Sequence, residues 1–231
     1  MSRLCMFHPA GHPLERGWVG RVDGDKVVQL AAQTLQSFFT GGGSAREHAE
    51  YALADVVLLA PVLHPPSVRV FDEQESCAFA NPAAIVGPGA EIACNDRLQG
   101  LVLAARIAGV IGAGGALGAF TILAEWRDPA GRPPKDRDFA LGLGPVAVTT
   151  DEFVPDGRAV TVLVDSVERA AATFAGFDWQ AAVALAAEGT KLYPGDLIAG
   201  PSSGVVESIA PGSLVEIEVD GIGTLEQRIA G

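Results

Sequence analysis

The chain has 231 residues, of which 48% are apolar and 19% charged, and its formal net charge is −12. This is the reverse of the disordered signature, and a chain of this length can bury a substantial core. The acidic balance argues against nucleic acid and anionic membrane as partners, because both select basic surface; a small anionic molecule needs only a local positive site.

No apolar run reaches the roughly 18 residues that span a bilayer, because Arg106 interrupts the best candidate. The opening MSRLCMFHPAGHP has no apolar region of signal-peptide length, so the expected compartment is cytoplasmic. Cys5, Cys77 and Cys94 lack CxxC spacing and read as reduced thiols rather than as a zinc site or disulfide framework.

In chain order, residues 18–30 (WVGRVDGDKVVQL) read as a hairpin turning at Asp23 and Gly24. A helical pattern over 31–39 ends at Gly41, Gly42 and Gly43, and Ser44 with Glu47 predicts a second helix through a Ser-x-x-Glu capping pattern. A short strand at 56–60 precedes Pro61, Pro65 and Pro66, so a small N-terminal hairpin and helix module is expected over 1–66 and a larger domain over 67–231. The larger part is strand-rich, with strands expected at 101–111, 120–126, 145–149, 160–164, 214–219 and 224–229. One helix is expected at 179–187, capped by Asp178 and stopped by Gly189. Hairpins with a few helices to one side indicate an α+β fold rather than alternating βαβ units.

Chemistry concentrates between residues 101 and 128. Side chains two apart in a strand share a face, which groups Ala104 with Arg106 in one run, and Thr121, Leu123 and Glu125 in the next. A lone arginine and a lone glutamate in such apolar runs require pairing or a polar cleft, so an Arg106–Glu125 ion pair is expected, either structural or functional. The intervening GAGGALG lacks the Lys-Ser/Thr of a phosphate loop and the helix of a dinucleotide loop, and reads as a tight strand connection. His8, His12, His48 and His64 all precede residue 65 and are assigned surface or linker roles, with His64 able to reach a cleft between the modules. Lys135 can aim its ammonium into a cleft with Asp138 holding it, although a solvated charged loop explains the same residues. Gly200, Ser202, Ser203 and Gly204 can present N–H groups and hydroxyls to an anion, or form a plain turn.

Taken together, FANPAAIVGPGAEI, LAARIAGVIG, AFTILAEWRD, KDRDFALGLGP, LYPGDLIAGPSSG and VEIEVDGIGTL resemble, in order, the motifs of the fumarylacetoacetate hydrolase family. The resemblance implies a mixed β-sheet roll carrying a smaller N-terminal domain, and commonly a homodimer. It also implies a Mg²⁺ ion on three carboxylates, two from a Glu-x-Glu strand and one Asp from the next, which chelates a 2-oxo acid or β-diketone and stabilises an enolate. Here the Glu-x-Glu positions are Ala104 and Arg106, and Glu125 stands at the aspartate. Asn81 replaces a usual lysine, Gly-Pro-Ser-Ser-Gly replaces Gly-Thr-Pro-x-Gly, and VFDEQESCAF lacks the histidine many members use as a base.

The expectation that follows is a divergent member without a bound metal or other cofactor, acting on a small anionic keto or enol compound by C–C hydrolysis, decarboxylation, isomerisation or hydration. Arg106 and Lys135 would bind the oxyanion and Glu125 would transfer the proton, with Asp138, Arg127, Gly200, Ser202 and Ser203 contacting substrate. The alternatives are a catalytically silent homologue kept as a binding or assembly subunit, and an ordinary Mg²⁺-dependent acylpyruvase.

Overall fold

The computed structural model describes residues 2–94 and 99–231. They begin with β1 (Arg3–Pro9), β2 (Trp18–Asp23), β3 (Lys26–Leu30), helix α1 (Leu35–Thr40), β4 (Glu47–Ala52) and β5 (Val56–Leu59). Then come β6 (Val68–Glu73), β7 (Ser76–Ala80), β8 (Ile85–Val86), β9 (Glu91–Ile92), β10 (Leu101–Ile111), β11 (Leu117–Arg127), β12 (Leu141–Thr149), β13 (Ala159–Val164) and β14 (Val167–Thr173). Helix α2 (Trp179–Ala187), β15 (Leu197–Ile209), β16 (Leu214–Val219) and β17 (Gly223–Ile229) complete the chain. No helix among the described residues is long and apolar enough to cross a membrane.

Two sheets result, and the fold is the strand-rich α+β roll that the sequence predicts. The larger has twelve strands in the order β4-β3-β2-β1-β12-β11-β10-β15-β6-β7, with β5 joined to β1 and β8 to β12; the smaller runs β14-β13-β16-β17-β9. Pairing is mostly antiparallel, while β15 with β6, β12 with β8 and β17 with β9 are parallel. The boundary expected near residue 66 would fall between β5 and β6, and the segments on either side of it share the larger sheet through β1 and β12.

The pleat of β10 and β11 sets the layers. Leu101, Leu103, Ala105 and Ile107 face one core with Ile122, Ala124 and Trp126, against Val160, Val162, Ile217 and Leu225 of the smaller sheet. The opposite face carries Ala108, Val110, Ala119 and Leu123 into a second core with Leu4, Met6 and Phe39. Alternation thus buries both faces of the central pair, which is why these runs are apolar throughout. A third cluster packs Ala182 and Ala186 of α2 on Phe71, Ile111 and Ile198.

Several local expectations are corrected. The first hairpin turns at Gly24 and Asp25, one residue later than predicted, because Asp23 pairs with Lys26. The helix expected over 31–39 begins only at Leu35, since the Ala31 N–H still pairs with the Arg46 carbonyl and Thr34 supplies the N-cap. The second helix, expected at Ser44, is instead strand β4. Tyr51 turns in to pack 5.4 Å from Phe7 and Glu50 turns out to meet Lys26 at 2.9 Å, so edge pairing with β3 overrides the capping pattern. His8, assigned to the surface, lies buried in β1, its Nδ1 2.9 Å from the Pro9 carbonyl. GPSSG is part of a long strand, not a turn.

Trp126 and Gln227 tie the two sheets together. The buried indole Nε1 donates to Gln227 Oε1 at 2.7 Å, and Gly142 lies so close that a Cβ there would stand 2.3 Å from that oxygen. Gln227→Ala is expected to leave the indole N–H unpaired in the core and to lower stability by about 1–3 kcal/mol, measured by urea unfolding.

Candidate functional site

Arg106 sits in the middle of β10, opposite Leu123, while Glu125 lies opposite Ala104. The arginine and the glutamate are therefore diagonal neighbours on one face, and the small Ala104 side chain leaves room for the guanidinium to reach across. Arg127, two residues after Glu125, shares this face.

The contacts converge on Glu125. Arg106 Nε donates to Glu125 Oε2 at 2.9 Å, and Arg127 donates from Nε to Oε1 and from Nη2 to Oε2, both at 3.1 Å. Arg106 Nη1 donates to the carbonyls of Gly200 at 2.9 Å and Phe71 at 3.2 Å. Its Nη2 donates to Asp72 Oδ1 at 2.5 Å and lies 2.9 Å from Glu125 Oε2. A guanidinium has five N–H groups, and each of those on Arg106 has an acceptor nearby. Its side chain is 1% exposed and that of Glu125 is 3%, whereas those of Arg127 and Asp72 are 31% and 65%.

Two irregular strands supply the carbonyls. Along β15 the register slips by a residue on each side of the Arg106–Ser202 pair, bulging the strand around Pro201, which has no N–H for the ladder. The bulge turns the Gly200 carbonyl to the guanidinium. In β6, Val70 pairs with Ala78 and Glu73 with Ser76, so one extra residue is accommodated near Phe71 and Asp72, and both contribute oxygens to Arg106.

The other candidates are placed differently. Lys135 pairs with Asp138, but its side chain is 78% exposed and the pair belongs to the loop before β12. Ser202 Oγ donates to the Gly204 carbonyl and accepts from the Gly204 N–H, so its hydroxyl is spent on the bulge. Asp72 was not anticipated, because only the extra residue in β6 aims this carboxylate at the cluster. Its one sequence signal was its place in VFDEQESCAF, the segment that lacks the expected histidine.

This donor set does not fit a divalent ion. A hard cation needs several free carboxylate oxygens, and here a guanidinium projects from one of the ligand positions while arginines engage both oxygens of Glu125. Among the described residues no group of three or more His, Cys, Asp or Glu side chains is arranged to hold a metal.

Residues 123–230 match the family model for the fumarylacetoacetate (FAA) hydrolase C-terminal domain. This C-terminal stretch, a little under half of the chain, is similar to the fumarylacetoacetate hydrolase family. The chain's fold is that of maleylpyruvate hydrolase from Sphingobium sp. SYK-6, at 20% identity over 99% of both chains with a TM-score of 0.84. Fumarylacetoacetate hydrolase from psychrophilic Exiguobacterium antarcticum aligns over 100% of both chains at 20% identity and a TM-score of 0.83. A 2-hydroxyhepta-2,4-diene-1,7-dioate isomerase from Mycobacterium marinum aligns at 22% identity and 0.79, over 100% of this chain and 98% of its own. No curated protein sequence gives a significant match.

Removing either buried partner leaves the other with fewer contacts, Arg127 on Glu125 or Asp72 on Arg106, so Arg106→Ala and Glu125→Ala are each expected to cost at most about 3–5 kcal/mol. The double variant should lose less than the sum, a coupling that denaturant titration of the four proteins measures.

Acid should act on two carboxylates at the rim of the site. Burial raises the Asp72 carboxyl, but the Arg106 hydrogen bond and charge, with Arg127 and Arg137, outweigh it and hold the group below its ordinary 3.8. Hydrogen bonds from Lys135 and then Asn81 lower Asp138 likewise. Groups depressed on folding stabilise the protein above their unfolded value and lose that contribution as pH falls through the folded one. The melting temperature is therefore expected to drop below about pH 4, and less steeply in Asp72→Asn, as thermal scans across pH 2–6 would record.

Proposed function

We propose that the protein acts on a small anionic keto or enol compound, and that a fixed guanidinium cluster does the electrostatic work a divalent ion does in metal-dependent relatives. The observation that carries this reading is the position of Arg106, at a family ligand position and within hydrogen-bond distance of Glu125. A carboxylate beside an enolate oxygen is stabilised by fixed cationic donors in a water-poor site. Arg127 is the group best placed to meet such a ligand, because it is half-buried and its Nη1 has no protein partner among the described residues. Lys135, on the loop before β12, would contribute a more mobile charge. Glu125 already accepts hydrogen bonds from both arginines, so a proton-transfer role competes with those contacts.

That last point favours a second reading, in which the chain binds the same class of compound without turning it over. The saturation of Arg106 and Glu125 by each other and by their neighbours supports it. Fold neighbours acting on related compounds support the choice of ligand class: the Sphingobium maleylpyruvate hydrolase has been solved with manganese(II) and pyruvate.

A screen of oxaloacetate, acylpyruvates and β-diketones in the presence of a chelator separates these readings. Turnover in chelator is the expected result, binding without turnover would favour the second reading, and activity that appears only with Mg²⁺ would overturn both. With the active compound, Lys135→Met should weaken kcat/KM or affinity by about tenfold or more, well beyond Lys26→Met, whose ammonium pairs with Glu50 far along the sheet.

A further inference from the structure

Asp72 differs from every other contact of Arg106. The guanidinium is buried, Glu125 is buried, and the two carbonyls belong to strand backbone, but the Asp72 side chain is 65% exposed. Formal charge in the cluster is balanced only when it is counted: Arg106 and Arg127 are cations, and Glu125 and Asp72 are the carboxylates they contact. An anion entering beside all four would place three carboxylates on two guanidinium groups. One that replaced Asp72 would leave the balance unchanged.

We propose that Asp72 occupies a carboxylate-binding subsite, and that a ligand carboxylate docks on Arg106 Nη2 beside Arg127 by displacing the Asp72 side chain. The inference rests on the reading above that this cluster receives a small carboxylate. Geometry sets how the exchange occurs. The tip of the β6–β7 hairpin is pinned to the start of α2, where Gln74 donates to the Asp178 carbonyl at 3.0 Å and accepts from the Asp178 N–H at 2.9 Å. The hairpin therefore stays in place, and Asp72 leaves by rotating its exposed side chain into water. Because Gly200 and Phe71 hold Nη1 and Glu125 holds Nε, the guanidinium remains fixed while Nη2 changes acceptor. The vacated subsite takes one carboxylate, and the free Nη1 of Arg127 is left for the adjacent keto or enolate oxygen. The class of ligand is thus a compound that presents one carboxylate and an adjacent acceptor oxygen at the same end.

Binding of pyruvate, followed by NMR titration of the wild-type protein, Asp72→Ala and Asp72→Asn, tests this directly, with methyl pyruvate as the uncharged control. Asp72→Ala should bind pyruvate about tenfold more tightly than wild type, since no internal carboxylate competes. Asp72→Asn, which keeps the side chain's size and one acceptor oxygen, should gain less, and neither variant should gain for methyl pyruvate. Equal or weaker pyruvate binding in Asp72→Ala and Asp72→Asn, or an equal gain for methyl pyruvate, would overturn the proposal. The two levels separate cleanly. A gain in pyruvate affinity without turnover of any compound would remove the catalytic reading and keep this subsite, whereas turnover with no gain in the Asp72 variants would remove the subsite and keep the catalysis.

Discussion

A single buried guanidinium governs the centre of this fold. Arg106 stands in an otherwise apolar strand whose two faces both pack into cores, so its charge is tolerable only if every N–H finds an acceptor and a carboxylate lies beside it. Three separate strands meet that demand: β11 provides Glu125, β15 the Gly200 carbonyl, and β6 both the Phe71 carbonyl and Asp72. The irregularities of β6 and β15 follow from it, since a regular ladder would turn those oxygens to neighbouring strands instead.

The same constraint shapes the chemistry. A bound divalent ion is a mobile and exchangeable charge; a guanidinium on a strand is neither. Its strength lies in fixed geometry, and its weakness is that acceptors already surround it. Any ligand of Arg106 must therefore take the place of an existing contact, and the contact with the lowest barrier to removal is the one that is already in water. Arg127 complements this arrangement, being anchored through Nε and Nη2 to the buried glutamate while its Nη1 has no protein partner among the described residues.

Much of the fold was legible from the residues. The long strands 101–111 and 214–219 and the helix 179–187 were predicted at their observed bounds, because apolar runs, an Asp cap and a terminating glycine are local signals that tertiary structure had no reason to oppose. The failures were at places where pairing outweighed local preference. Glu47–Ala52 carries a helix-capping pattern but serves as an edge strand, and His8 was drawn into the core by the strand that contains it.

At the site, the sequence by itself determined which charges had to meet: an arginine and a glutamate, each alone in an apolar strand, joined by a tight turn that sets them on one face. It also carried the resemblance to the fumarylacetoacetate hydrolase family, through motifs whose order and spacing need no coordinates. Only the tertiary structure decided what else completes the cluster. Asp72 lies 34 positions before Arg106 and the Gly200 carbonyl 94 after it, and neither distance in sequence announces contact. Register does that, and register in β6 and β15 depends on single extra residues whose effect is felt only once the neighbouring strands are in place.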